Sequence, residues 1–291
     1  MKYTLFTPTY NRAHLLPILF ESLQIQVYKN FEWLVIDDGS MDNTEEVIRE
    51  LKKKSSFPIR YFKQQNGGKH VAFNNAIEIA ESEWFVCIDS DDPLTPDALI
   101  NMEKACALVD NDAAGFVGVC ISPNGILLEN RIKEPFYSNT IDIRDKYHLW
   151  GEPEVYRLSI LKQFRFPIFK GEKFITEAIL FDQLTSKHKL LYTNFPMQIK
   201  EYLLGGLTDN QTIIRIQSPN GTLAYYKLRY YMSRKFIYKL KAIVNYNRFL
   251  LHAKRNRAVL VEPVLKCSYL VMPIAVLLYW KDKKDERKRR L

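Results

Sequence analysis

The residues best suited to chemistry stand at the end of an apolar run. Trp84-Phe85-Val86-Cys87-Ile88 reads as a buried strand, and Asp89-Ser90-Asp91-Asp92 follows it at once. Carboxylates this close repel one another. A hard cation relieves that repulsion, since Mg²⁺ or Mn²⁺ takes one or two carboxylates and completes its shell with substrate phosphates. The cluster therefore predicts a divalent metal, Mn²⁺ or Mg²⁺, and a phosphorylated substrate. The plainer alternative is an acidic turn opened by Asp92-Pro93, with Thr95-Pro96 capping the next helix. Position favours the chemical reading, because ligands of open α/β sheets gather at the carboxyl ends of strands.

The elements that must hold this cluster alternate regularly. Residues 2–6 read as a short strand, with Thr7-Pro8-Thr9-Tyr10-Asn11-Arg12 as the loop leaving it. Leu15, Leu16, Leu19, Phe20 and Leu23 make one helical stripe to about residue 26. Phe31 to Ile36 is a second strand, and it ends in Asp37-Asp38-Gly39-Ser40. Asp42 and Glu45 give a capping box for a helix to about Lys54. A third strand over 59–62 leads to the turn Gln65-Asn66-Gly67-Gly68-Lys69-His70, which opens a helix packed through Ala72, Ala76 and Ala80. Four strands alternating with three helices imply a parallel βαβ sheet. The four polar strand ends then fall on one rim.

The pattern changes after a helix predicted over 95–109. A hairpin is expected around Pro123-Asn124-Gly125, then a strand at Val155-Tyr156, a short helix near 159–163, a helix from Thr176 to about Lys187, and strands near 190–193 and 198–203. Gly205-Gly206 marks a loop and Ser218-Pro219-Asn220-Gly221 a turn. The division predicted is 1–110, 111–215 and 216–291, the last a helical, basic segment. The fold class predicted is α/β, a mostly parallel Rossmann-like sheet flanked by helices.

At 291 residues, 47% hydrophobic and 26% charged, the chain can bury a substantial core. Cys87, Cys106, Cys120 and Cys267 lack zinc spacing or a disulfide framework, and Cys87 reads as core. The N-terminal apolar run is too short for a signal peptide, which leaves a cytoplasmic protein as the expectation. The net charge of +9 is uneven: from Ile216 onward 18 Lys and Arg face 4 Asp and Glu, a net +14. Nucleic acid binding is not expected, because no recognised module accompanies that charge. Residues 223–254 read as one long helix. Residues 267–280 form an apolar run of 14 closed by a basic cluster, too short for the ~20 residues of a bilayer span. Peripheral attachment to an anionic inner membrane face is the expectation for this tail, with a helical cap on the core as the alternative.

Pro8 to Arg12, Asp37 to Ser40, Asn66 to Asn74 and Asp89 to Asp92 together resemble, in order and spacing, the inverting family two glycosyltransferases of GT-A fold, in particular those that build bacterial surface polysaccharide. The resemblance is strong over residues 2–100 and looser over 150–215. It implies a nucleotide-sugar donor, most readily a UDP-sugar, and a glycan or lipid-linked glycan acceptor. It places Pro8, Thr9, Tyr10, Arg12, Asp38, Asn66, Gly68, Lys69, Asp89 and Ser90 around the nucleotide and Asp91 on the metal. Asp38 suits a pyrimidine N–H, and the glycines suit backbone amides approaching a diphosphate. Lys69 supplies positive charge, and His70 either adds to it or is a solvated helix-start residue.

An inverting transfer needs a base to take the acceptor's proton. Glu177 falls in the segment where the family carries its catalytic carboxylate, here Thr176-Glu177 instead of Glu-Asp, and Glu172 and Asp182 are the fallbacks. Trp150 is a candidate to stack on an acceptor sugar. A sugar nucleotidyltransferase is the rival enzyme class, disfavoured because Thr7 to Arg12 holds no glycine. A non-catalytic nucleotide-sugar scaffold is the rival binding module.

Overall fold

The computed structural model describes residues 1–128, 132–149, 152–200, 211–255 and 268–290. Trp150, the Gly205-Gly206 loop and Cys267 lie outside the described residues. The chain divides into two compact units, the first Met1–Arg165 with Leu180–Tyr202, the second Phe166–Ile179 with Leu203–Leu291.

The first unit is built on a sheet whose described strands are β1 (Tyr3–Thr9), β2 (Phe31–Asp37), β3 (Ile59–Lys63), β4 (Trp84–Cys87), β5 (Gly115–Ile121), β6 (Phe136–Ser138), β7 (Glu154–Arg157) and β8 (Leu190–Ile199), in the order β3-β2-β1-β4-β7-β5-β8-β6. The sheet is mixed and mostly parallel, as predicted. β3, β2, β1 and β4 are mutually parallel. β7 runs antiparallel to both β4 and β5, and β5 pairs β8 in parallel. Between the early strands run α1 (Leu16–Gln24), α2 (Thr44–Lys54) and α3 (Lys69–Ile79), with α4 (Ala98–Cys106) after β4. β1 is flanked by β2 on one side and β4 on the other, so the strand order reverses at β1. Crevices at such reversals are where open α/β sheets bind ligands.

The core follows the apolar periodicity. Trp33, Trp84, Phe20, Phe85 and Leu5 are buried, and Phe6 meets Phe73 edge-on at 5.6 Å. Ala72, Ala76 and Ala80 are fully buried, which lets α3 lie close to the sheet. Cys87 is half-buried rather than core.

Several boundaries differ from the sequence reading: β1 runs on through Thr7 to Thr9, read as loop, and the helix predicted from Thr176 begins at Ala178. α4 starts at Ala98, because Thr95 is spent outside it: its amide donates to the Met197 carbonyl and its hydroxyl to Pro196. Asp42 does not close a capping box. It accepts from the Thr44 amide and hydroxyl and the Ala13 amide, while Glu45 pairs with Arg49. The two strands predicted around Asn194-Phe195-Pro196 are one, β8, which absorbs the proline where its register against Val119 shifts. In the second unit the long helix is broken at Ser233, whose backbone is extended, into α9 (Pro219–Met232) and α10 (Phe236–Arg255). Ser218 to Gly221 is accordingly a helix start, with Pro219 in the first turn of α9.

The first unit is completed by a one-turn helix, α5 (Thr140–Asp142), with a π-turn over Ile143–Tyr147, and by the short α6 (Leu158–Leu161). The helix Ala178–Lys187, α7, follows the 166–177 segment. The second unit also holds α8 (Gln211–Gln217) and a terminal helix, Met272–Arg290, entered through a 3-10 turn at Ser268–Val271. No helix among the described residues is long and apolar enough to cross a membrane.

Candidate active site

Four loops meet where β1, β2, β3 and β4 end. The Asp38 amide donates to the Thr9 carbonyl at 2.8 Å, the Asn11 amide to Ser40 Oγ at 2.8 Å, and the Met41 amide to Asn11 Oδ1 at 2.8 Å. Asn11 takes a left-handed conformation (φ 52°), which asparagine tolerates better than most residues. Gly39 also has positive φ (81°), and a Cβ there would stand 3.0 Å from the Asn66 amide. The Asp-Asp-Gly turn and the glycine turn are thus in direct backbone contact.

Asp38 is buried, and it is already engaged. Its Oδ1 accepts from the Gly67 amide (2.8 Å) and from Gln64 Nε2 (2.8 Å), and its Oδ2 from the Gly68 amide (2.7 Å). The glycine amides expected to meet a diphosphate are turned onto Asp38 instead. This carboxylate therefore shapes the glycine turn, and Gly68, with φ 93°, supplies the conformation that lets α3 begin at Lys69. His70 is buried rather than solvated. Burial holds its ring below the usual value against the opposing pull of Asp38, so the neutral imidazole is favoured and the added positive charge expected of His70 is not supplied.

The acidic end of β4 shows what relieves its repulsion: each aspartate has its own cation. Lys69 Nζ lies 2.5 Å from Asp89 Oδ1, Arg12 Nη1 lies 3.1 Å from Asp91 Oδ2, and Lys200 Nζ lies 3.5 Å from Asp92 Oδ2. Arg12 also reaches the buried Ser90 hydroxyl at 3.5 Å. Burial raises the Asp89 carboxyl's pKa, but Lys69 above all, with Lys200 and Arg12, outweighs it and holds that pKa below the ordinary range. Asp92 goes the other way. Burial, with Asp89 and Asp91 adding to it, exceeds the help of Lys200 and pushes Asp92 up to about 6. Burial opposes the Lys200 charge too, yet Cys120 and the surrounding carboxylates, Asp92 first, keep its pKa above the usual value.

The sequence reading missed Lys200. It follows β8 with no motif around it, and only the folded sheet brings it to the end of β4. These three pairs mean that protein cations also counter the aspartate cluster, and no group of three or more His, Cys, Asp or Glu side chains among the described residues could cage an ion. A single-carboxylate site is a different demand, and the rim meets it. Asp91 is exposed at the strand end with one oxygen on Arg12, and Mg²⁺ or Mn²⁺ needs only one or two carboxylates when a diphosphate supplies the rest. Thr9 Oγ1, buried beside this rim, has no hydrogen-bond partner among the described residues, as expected of a hydroxyl reserved for a bound group. Tyr10 is exposed next to it.

These motifs, in this order on one rim, match the family model for Glycosyl transferase family 2 over residues 4–171. The chain belongs to that family. Among curated relatives, the MG060 homolog of Mycoplasma pneumoniae, a glycosyltransferase, is 33% identical over 120 residues, 40% of each chain. The GalNAc(5)-diNAcBac-PP-undecaprenol beta-1,3-glucosyltransferase of Campylobacter jejuni is 37% identical over 107 residues, 36% of this chain and 34% of that one. The chain thus spans 40% or less of the length of these two relatives. Among solved structures, Staphylococcus aureus TarS 1-349 in complex with UDP-GlcNAc superposes with a TM-score of 0.60 at 20% identity, covering 88% of this chain and 73% of that one. The mannosyltransferase PcManGT of Pyrobaculum calidifontis, in complex with GDP-Man and Mn²⁺, superposes with a TM-score of 0.56 at 17% identity, covering 96% and 81%. Both likenesses concern the fold, which is the GT-A arrangement expected of the family.

The candidate base and its fallbacks fall into different environments. Glu177 is exposed in the second unit, directly before the helix Ala178–Lys187. Glu172 is buried in the same unit. Its Oε1 accepts from the Asn220 amide (2.8 Å) and side chain (2.7 Å), and its Oε2 from the Gly221 amide (2.8 Å), so it caps the start of α9. Asp182, in the first unit, is fully buried against Arg144 and the Thr140 hydroxyl. Neither fallback has the access to an acceptor that a base requires, and Glu177 is the exposed one of the three.

Proposed function

We propose that the chain is an inverting, metal-assisted glycosyltransferase that moves a sugar from a nucleotide-diphosphate sugar, a UDP-sugar in the first instance, to a hydroxyl of a glycan or lipid-linked glycan in cell-surface polysaccharide synthesis. The observation that carries the reading is the rim at β1 and β4, where Thr9, Arg12, Lys69 and the three aspartates meet at the reversal of strand order. The donor's nucleotide lies along the ends of β1 and β2, near Pro8, Thr9, Tyr10, Asp38 and Asn66, with Asp89 and Ser90 toward the ribose. Arg12 and Lys69 are the cations within reach of a diphosphate, and each already shares its charge with an aspartate that a metal could take over. Asp91 would hold Mn²⁺ or Mg²⁺, which, when bound, supplies charge neutralisation to the leaving diphosphate. Glu177 takes the proton of the acceptor hydroxyl as that oxygen attacks the sugar carbon from the side opposite the leaving group. The enzyme works in the cytoplasm with its acceptor at the inner membrane face. The Campylobacter relative supports a lipid-linked acceptor, since it is a glucosyltransferase named for a glycan on undecaprenol, a lipid alcohol.

The deciding experiment pairs turnover with donor affinity. Nucleotide sugars are screened with Mn²⁺ for a rise in melting temperature, and the best donor is then used to assay Glu177→Gln. Turnover of the variant is expected to fall about 10²- to 10⁴-fold, the range of general base catalysis, with donor affinity intact. A variant of near-normal rate would remove Glu177 from the mechanism. A lost donor affinity would instead make it part of the donor site.

A further inference from the structure

The terminal helix Met272–Arg290, hereafter α11, is seated on α10 by one face only. Val271, at its entry, and Ala275 are buried, and the Tyr279 ring packs on His252 with centroids 4.6 Å apart. The buried Asp282 accepts from Arg248 Nε at 2.7 Å, pairs with Arg248 Nη2 as well, and lies 3.0 Å from His252 Nε2. These contacts fix the helix about its own axis. The opposite face is then bare among the described residues: Leu270, Ile274, Leu277 and Trp280 are 68%, 50%, 70% and 60% exposed. Leu270, Ile274 and Leu277 follow at i, i+4, i+7, and the same line continues through Lys281 and Lys284, both exposed.

A line of large exposed apolar side chains on one helix face marks a contact surface. The chemistry of the line selects its occupant. It is apolar for two turns and then basic, and residues 281–290 hold seven Lys or Arg against three Asp or Glu, one of which, Asp282, is already spent on Arg248. A second copy of the chain would set like charges against each other, and a nucleic acid leaves the apolar turns unexplained. An anionic bilayer meets both halves, with acyl chains for the leucines and isoleucine and phosphates for the lysines. Trp280 stands at the border between them, where an indole with an apolar body and a polar N–H is best placed. The helix lacks the length of apolar residues to cross.

We infer that the Ile274, Leu277 and Trp280 face of α11, extended by Leu270 of the 3-10 turn before it and closed by Lys281 and Lys284, is a docking surface for an anionic lipid bilayer, with the helix lying in the interface. The inference rests on this helix alone and does not depend on the transfer chemistry.

The test uses the full chain and phosphatidylcholine vesicles with or without phosphatidylglycerol, read by co-sedimentation. Binding is expected to favour the anionic vesicles and to fall as salt screens the headgroups. Lys281→Gln with Lys284→Gln should weaken anionic binding about 25-fold, roughly fivefold for each lysine, without moving the melting temperature. Ile274→Asp with Leu277→Asp should abolish binding to either vesicle. Should that pair disturb the fold, Trp280→Phe decides: the vesicle-induced blue shift of tryptophan emission must disappear with it. Equal binding to neutral and anionic vesicles, or none to either, overturns the inference. So does a concentration-dependent dimer that the Ile274/Leu277 pair dissolves, because that assigns the face to a second copy. None of these readouts involves sugar transfer, so a failed glycosyltransferase assay and a failed docking surface are separate results.

Discussion

Asp92 carries the most costly charge on the rim, because burial and two neighbouring aspartates act against a single lysine. Its carboxyl is raised to about 6, so the sign of its effect on stability runs opposite to that of an ordinary paired aspartate. Well below pH 4, both folded and unfolded chains hold the proton. As pH rises from about 4 to 6 the unfolded chain releases its proton first, and stability declines until the folded carboxyl has ionised too. A shift of this size amounts to roughly 3 kcal/mol at most. Asp92→Asn is expected to flatten this decline, and the difference in urea unfolding free energy between the variant and the parent, measured on either side of that window, checks it. A difference that stays constant across the window would mean that Asp92 titrates normally. The aspartates themselves were legible from the sequence, since type and position sufficed. Their cations were not equally so: Arg12 and Lys69 sit in recognisable loops, whereas Lys200 follows a strand whose register no motif announces.

Elements were read well where one periodicity held and poorly where two signals competed. The βα units through α3 follow from clean alternation of apolar runs and helical stripes. Pro196 looks like a break between strands, yet a register shift opposite Val119 lets β8 run through it. The stripe from Leu223 to Lys254 keeps a helical period across Ser233, so the break between α9 and α10 is hidden from periodicity. Glu172 has the type that a base needs, but a helix start without enough acceptors is the stronger claim on it. Glu172→Ala leaves the amides of Asn220 and Gly221 unpaired in a buried site and is expected to cost about 2 kcal/mol, the upper end for loss of a helix cap. Glu172→Gln, which keeps one acceptor, should cost less. Both should keep donor affinity, measured by titration of the folded variants with the nucleotide sugar. Lost donor affinity at full stability would return Glu172 to the active site.

At the scale of the molecule, the chain's order and its compact units do not coincide. The segment 166–179, which carries Glu172 and Glu177, leaves the first unit and belongs with residues 203–291. A chain cut after residue 215 would keep every described strand and lose the α9 amides that hold Glu172. Such a truncation is expected to lose transfer while still responding to nucleotide sugar in a thermal shift assay. Full activity of the truncated chain would show that the 166–179 segment needs nothing from the tail.

The three ion pairs at the end of β4 also differ in when they become possible. Lys69 precedes Asp89 by 20 residues and Arg12 precedes Asp91 by 79, so both cations have been synthesised before the acids they meet. Lys200 comes 108 residues after Asp92. While the chain is being made, Asp92 therefore emerges beside two like charges and waits for its partner through the synthesis of β5, β6, β7 and β8. The rim is completed only after the last strand of the sheet, and a growing chain that has finished β1 to β4 still lacks the cation that faces Asp92.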